Sequence, residues 1–167
     1  VRNDIDVPPL KLAPTHRWVS AGEATSDVQV LTDEEKHDSR PRESDLLWWK
    51  DTPQGESYGK AVAKVRGKES LFQHARLHQS RPAPTLSANS HVFTHWSECR
   101  KLTYREWKRL GSFPDDYHAK TDKIGKYMIG MSVPPKMTEQ VARAVCEQWL
   151  NVNYSELSND NQAQNPH

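Results

Sequence analysis

The stretch Arg100-Lys101-Leu102-Thr103-Tyr104-Arg105-Glu106-Trp107-Lys108-Arg109-Leu110-Gly111-Ser112-Phe113-Pro114-Asp115-Asp116-Tyr117 reads as a capped helix followed by a turn. Thr103 and Glu106 are spaced as a capping box, in which the hydroxyl accepts from the Glu106 amide and the carboxylate reaches back to the cap. Trp107 and Leu110 then share one face, and Gly111 is expected to end the helix in a left-handed cap. Asp115-Asp116, after Phe113-Pro114, reads as a turn whose carboxylates bond nearby amides rather than as an acid-base pair.

Downstream, residues 127–133 form one of the longest apolar runs, and Pro134-Pro135 opens a second helix, where a missing amide costs nothing. Met137, Val141, Ala144, Val145, Gln148 and Trp149 follow at helical spacing, which predicts a helix to about Leu150. Residues 151–167, rich in Asn, Gln and Ser, are expected to be a disordered tail. Signals upstream are weaker. Pro8-Pro9 and Pro14 favour an extended segment over 1–15. Trp18-Val19, Val28-Gln29-Val30-Leu31 and His91-Val92-Phe93-Thr94-His95-Trp96 are expected strands. Residues 32–45, charged and holding Pro41, read as a loop. Leu46-Leu47-Trp48-Trp49 is an apolar anchor before a turn at Thr52-Pro53-Gln54-Gly55, and Arg81-Pro82-Ala83-Pro84 must be extended. Trp48, Trp49 and Trp96 read as core rather than as stacking platforms.

Hydrophobic residues make up 35% of the 167, below the roughly 45–50% of ordinary globular domains, so one domain with tails is expected rather than two cores. No apolar run approaches the roughly 18 residues of a membrane span, and the amino end lacks a signal-peptide pattern. Cys99 and Cys146 are too few for a disulfide framework, which points to a reducing cytoplasm. The chain does not begin with Met, so further sequence is expected upstream.

Charge is unevenly spread. Residues 1–59 carry 7 Lys+Arg against 12 Asp+Glu, residues 60–126 carry 14 against 6, and residues 127–167 carry 2 against 4. A basic middle suits a phosphate-tracking surface, although charge alone also describes a solvated face. His74, His78, His91, His95 and Cys99 recur at intervals of four, yet Pro82 and Pro84 interrupt them and no Cys-x-x-Cys exists, so no metal site is expected. Neither cysteine has the surroundings of a nucleophile, and no Gly-x-Gly cradle occurs.

The stretch 100–117 resembles the ninth motif of the cytosine-5 DNA methyltransferases, Arg-x-Leu-Thr-x-Arg-Glu-x-x-Arg-Leu-x-x-Phe-Pro. Tyr127-Met128-Ile129-Gly130-Met131-Ser132-Val133-Pro134-Pro135 looks like the tenth, Tyr-x-x-Ile-Gly-Asn-Ser-Val-Pro-Pro. Arg76-Leu77-His78 and Arg81-Pro82-Ala83-Pro84-Thr85-Leu86 are similar to the end of the family's target-recognition region, where a Thr-Leu or Thr-Val doublet sits. Val1-Arg2-Asn3-Asp4 resembles the residues just after the family's eighth motif.

The resemblance implies an enzyme that flips a cytosine from duplex DNA, attacks ring carbon 6 with a cysteine, and moves the methyl of S-adenosylmethionine to carbon 5. The family's Pro-Cys, Glu-Asn-Val and Phe-x-Gly-x-Gly elements are absent here, so no catalytic residue is assigned. The implied fold is α+β: a small target-recognition subdomain followed by two helices, the C-terminal fragment of an α/β (Rossmann-like) methyltransferase. Its implied divisions are 1–4 as the end of a truncated catalytic domain, 5–99 as the recognition region, 100–150 as the closing helices, and 151–167 as the tail. The last helix would return to a large domain's sheet and leave Met137, Val141, Val145 and Trp149 uncovered in the isolated chain.

Carried over residue by residue, Thr85 and Leu86 would lie at the recognition surface. Arg76, Arg81, Arg100, Arg105 and Arg109 would serve DNA recognition, Arg100, Arg105 and Arg109 with Glu106 by organising the region more than by touching DNA. Met131, Ser132 and Val133 would approach the cofactor. Lys60, Lys64, Arg66 and Lys68 join Arg76 and Arg81 as phosphate-contact candidates. Met131 replaces the family's Asn and removes an amide donor and acceptor, and Gly111 replaces a common Gln. The implied partners are double-stranded DNA and an upstream catalytic domain, in the same polypeptide or as a separate subunit, in a bacterial or phage-type cytoplasm with a restriction-modification setting; no membrane and no metal are implied. A non-enzymatic DNA-binding module of the same fold, or an unrelated small α+β domain, are the other readings.

Overall fold

Capping chemistry accounts for where the helices begin. The computed structural model describes residues 8–13, 17–28, 31–67, 74–88 and 93–150. Two compact units are present: residues 18–134, and residues 1–17 with 135–167. Val1-Arg2-Asn3-Asp4, Lys68 and the tail over 151–167 lie outside the described residues.

In the larger unit, Ser20 caps α1 (Ala21–Ala24), its hydroxyl accepting from the Glu23 amide. Thr32 and Glu35 form a reciprocal capping box on α2 (Asp33–Asp38). Asp45 reaches back to the Arg42 amide, 2.9 Å, at the start of α3 (Glu43–Trp48). The loop expected over 32–45 is therefore mostly helical. Asp33, Glu34 and Glu35 stand in the first turn of α2 with Lys36 and His37 in the last, the order that the helix dipole favours, and Pro41 falls between the two helices.

α4 (Tyr58–Arg66), which the sequence reading missed, buries Tyr58, Ala61 and Val62 and ends at Gly67 with φ 67°. β1 (Ala75–Arg76) runs parallel to β2 (Phe93–Thr94). The expected strand over 91–96 is thus reduced to two described residues, with 91 and 92 outside them. Trp18, Val19, Val28 and Leu31 are not in strands: Ser20 caps a helix instead, and the Val28 amide closes a turn on the Thr25 carbonyl. Residues 29 and 30 lie outside the described residues.

α5 (Tyr104–Leu110) carries the anticipated capping box, with Thr103 N to Glu106 Oε2 at 2.7 Å and Glu106 N to Thr103 Oγ1 at 3.2 Å. Its end corrects the expectation for Gly111, which has φ −83°; Ser112 takes the left-handed position at φ 58°. Ser112 N bonds to Arg109 O and Phe113 N to Lys108 O, the paired bonds of a Schellman motif with Ser112 past the cap. Gly111 answers instead to space, since a Cβ there would meet Ile129 Cγ2 at 3.0 Å. α6 (Asp122–Met131) crosses α5, its Gly125 lying on the Tyr104 ring, where a Cβ would approach to 2.5 Å. Ala21, Leu77, Phe93, Trp96, Leu102, Trp107, Phe113 and Ile129 form the core, with Trp107 fully buried.

In the smaller unit, α7 (Pro135–Trp149) starts at the expected proline. The irregular segment 8–13 lies along it: Trp149 Nε1 donates to Pro8 O, and Gln148 exchanges bonds with both backbone groups of Lys11. This segment corrects the expectation of a bare apolar face. Met137 is exposed, but Val141, Val145 and Trp149 are half-buried. No helix among the described residues is long and apolar enough to cross a membrane.

At Gly130 an added Cβ would fall on the backbone of Ser87 and Ala88, whereas at Gly67 it would meet open space. Gly130→Ala should cost about 1–3 kcal/mol through overpacking, and Gly67→Ala about 1 kcal/mol through its backbone angle alone. Urea unfolding midpoints of the two variants check this, and the reverse order would contradict the close approach at Gly130.

Candidate functional site

Three arginines from the 100–109 stretch hold the larger unit around α5. Arg100 lies flat against Glu106 in a two-pronged pair, Nη1 to Oε2 and Nη2 to Oε1 both at 2.8 Å, and its Nε donates to Glu98 at 2.6 Å. Both members of the pair are buried. Burial pulls the Arg100 guanidinium down, and the bonds and charge of Glu106 and Glu98 more than offset that, so its pKa is raised. Arg105 grips Glu35 at 2.9 and 3.0 Å, bringing α2 onto α5. Arg109 pairs with Asp27 and with Asp115, the latter at 2.8 Å.

Arg76 is also engaged. Its guanidinium stacks 3.8 Å over the Trp49 ring, donates through Nε and Nη2 to Trp96 O, and donates through Nη1 to Thr52 O. Trp49 and Trp48 are half-buried, whereas Trp96 is buried. His95 accepts at Nδ1 from the Ser97 and Glu98 amides and stacks on Trp96. Burial, then the charge of Arg100, pushes its pKa down to about 4. Burial raises the Cys99 thiol, which keeps it protonated at neutral pH. No group of three or more potential metal ligands occurs among the described residues.

The segment after β1 carries the remaining recognition candidates. Arg81 is exposed, as is Thr85, while Leu86 packs against the core. The chain then passes over Gly130 of α6, so close that no side chain would fit between Ser87 and that helix. The residues that directly follow Thr85-Leu86 are therefore in contact with the residue that directly precedes 131–133. Met131, Ser132 and Val133 are all exposed, and Ser132 Oγ donates to Met128 O at 2.7 Å. Ile124, Tyr127, Met128 and Met131, spaced as one helical stripe, are each more than 40% exposed.

The lysine candidates are spread elsewhere: Lys60 pairs with Glu56, Lys64 is exposed, and Arg66 lies 5.9 Å from the Trp48 ring centre. Sequence reading missed Asp27, Glu35, Gly22 and the packing role of Gly130. Asp27 and Glu35 stand 82 and 70 residues from the arginines that they hold, and no local pattern carries such a pairing.

Glu106→Gln should cost about 3–5 kcal/mol, because Arg100 would stay buried without its carboxylate, against about 1 kcal/mol for Thr103→Ala, which removes only the cap. Equal losses in urea unfolding would contradict the pair. The His95 value in the folded chain, about 4, lies below its ordinary 6.5. Above pH 6.5 both folded and unfolded chains carry it neutral. Between 6.5 and 4 the unfolded chain takes the proton first, so stability falls by up to about 3 kcal/mol. His95→Asn should flatten the stability-pH curve over that interval, and parallel curves for variant and wild type would contradict the assignment.

The profile of the C-5 cytosine-specific DNA methylases matches residues 14–147. The chain is 29% identical to the type II methyltransferase M.BbvI of Brevibacillus brevis over 95% of this chain and 45% of that protein. It is 39% identical to the putative type II methyltransferase M.MJ0563P of Methanocaldococcus jannaschii over 54% of this chain and 30% of that protein. It is 34% identical to the type II methyltransferase M.AquIB of a Picosynechococcus species over 47% of this chain and 66% of that protein. The chain thus spans less than half the length of the first two relatives and about two thirds of the third. No solved structure matches. With four fifths of its residues covered by the family profile, the chain belongs to the C-5 cytosine-specific DNA methylase family.

Proposed function

We propose that this chain is the DNA-recognition and closing portion of a DNA (cytosine-5-)-methyltransferase, working with a catalytic domain that carries the attacking cysteine. That domain belongs to the same polypeptide or to a separate subunit. Residues 5–99 form the recognition region and residues 100–150 the ninth- and tenth-motif helices, which close a Rossmann-like domain. The observation that supports this reading is the contact of Ser87-Ala88, which follow Thr85-Leu86, with Gly130, which precedes residues 131–133. A flipped cytosine and a methyl donor must meet within a few ångströms, and a contact between the neighbours of the two segments assigned to them supports that requirement.

Met131, Ser132 and Val133 fit S-adenosylmethionine as one wall of its pocket. They are exposed at a helix end, and the Ser132 hydroxyl, while donating to Met128, keeps its acceptor lone pairs. The cofactor supplies the methyl group transferred to carbon 5. Thr85 faces the extruded nucleotide or its flanking phosphate. Arg100, Arg105, Arg109 and Arg76 work through the positions of what they hold, and the isolated chain is inactive. The exposed stripe of Ile124, Tyr127, Met128 and Met131 supports an incomplete assembly, since such a surface calls for a cover.

The test mixes this chain with a family catalytic portion containing Pro-Cys, Glu-Asn-Val and Phe-x-Gly-x-Gly, duplex DNA and methyl-labelled S-adenosylmethionine. Label should enter cytosine at least tenfold faster than with the catalytic portion alone. Duplex binding without any gain in label would instead support a non-enzymatic DNA-binding module.

A further inference from the structure

The turn at residues 78–81 is a presented edge whose backbone is tied down from behind. Gly22 N donates to Gln79 O at 2.9 Å and Ala21 N to Arg81 O at 2.8 Å, so the first residues of α1 hold both sides of the turn. The Gln79 amide donates to Gln54 Oε1 at 3.1 Å, and the Ser80 amide to His78 Nδ1 at 3.0 Å. Two glycines allow this seating. A Cβ at Gly22 would meet Gln79 Cγ at 2.6 Å, and a Cβ at Gly55, which has φ 83°, would meet His78 Cβ at 3.2 Å. With the amides of 79–81 and the carbonyls of Gln79 and Arg81 used internally, what remains for a ligand is chiefly the side chains, and Gln79, Ser80 and Arg81 are all exposed.

The guanidiniums of Arg76, Arg100, Arg105 and Arg109 are all bonded within the fold, whereas Arg81 is exposed and its guanidinium only rests alongside Gly55, whose added Cβ would lie 3.6 Å from Nη1. A planar guanidinium matches the O6 and N7 acceptors of guanine, and a carboxamide matches the N6 donor and N7 acceptor of adenine. A rigid backbone lets such side chains discriminate, because little ordering is left for the encounter. Resting on the DNA-recognition reading above, we infer that Gln79 and Arg81 are specificity-determining residues: they read base edges beside the target cytosine, Arg81 a guanine and Gln79 an adenine. The two side chains, two residues apart on a fixed turn, set a two-position element of the recognised sequence.

The experiment incubates the full 167-residue chain, wild type or carrying Arg81→Lys, Arg81→Ala or Gln79→Ala, with a randomised duplex library at low salt, then sequences the retained DNA. Wild type should enrich duplexes with a guanine preference at one position and an adenine preference at another. Arg81→Lys keeps the charge but loses the two-pronged geometry. It should erase the guanine preference and weaken binding to the enriched duplex about tenfold or more, leaving other duplexes within about twofold. Gln79→Ala should erase only the adenine preference. Unchanged preferences in all variants would overturn the inference. So would equal weakening on every duplex by Arg81→Ala with a salt dependence shallower by about one phosphate, which would make Arg81 a backbone contact. Retention of duplexes with no preferred base overturns base reading and spares DNA binding. Retention of none overturns the recognition reading and this inference with it. Both residues are exposed, so circular dichroism melting of the variants should match wild type.

Discussion

Glu106 is where the larger unit is tied together. Its carboxylate is 1% exposed and is satisfied by both prongs of Arg100 and by the Thr103 amide. A carboxylate so buried is tolerable only when its partners are in place. The turn carrying Arg100, the cap of α5 and the seating of Trp107 one residue further along are therefore a single event. The His95 amide donates to Arg100 O at 3.0 Å, and the chain leaving β2 is joined to the node in this way. A local capping signal has become the junction between a strand, a turn and the central helix.

Two glycines on α6 decide what that junction can present. Gly125 lets the helix descend onto Tyr104, and Gly130 lets the 85–88 segment descend onto the helix. Larger residues at either point would push the layers apart, because packed interiors have no slack for an added methyl group. The 87–88 backbone rests directly on α6 for that reason. In the middle of an amphipathic pattern these glycines look like weaknesses of helix propensity, and only the partners across the gap explain them.

The basic residues divide in the same way. A count of lysines and arginines describes the field around the middle of the chain, but not which charges are available to a ligand. Arg105 and Arg109 are engaged by Glu35 and Asp27, and Arg76 by backbone carbonyls over an indole ring. Arg81 remains exposed: α1 and His78 hold its backbone, and its guanidinium lies alongside the Gly55 turn without a carboxylate to bind it among the described residues.

By itself the sequence determined the elements whose causes are local: the Thr103 cap with Glu106, the proline start of α7, and the motif spacing that carries the family resemblance. Locality also explains its errors. The capping box at Thr32 was legible but hidden by the charge around it and by Pro41, and the apolar residues Trp18, Val19 and Val28 stand beside the capped helix α1 and its closing turn rather than in strands. Only the tertiary structure decided that Ser112 rather than Gly111 turns left-handed, that α6 is a helix lying between α5 and the 85–88 segment, and which arginines are held within the fold. Those outcomes depend on groups tens of residues apart competing for the same space or the same charge, and that competition exists only once the chain has folded.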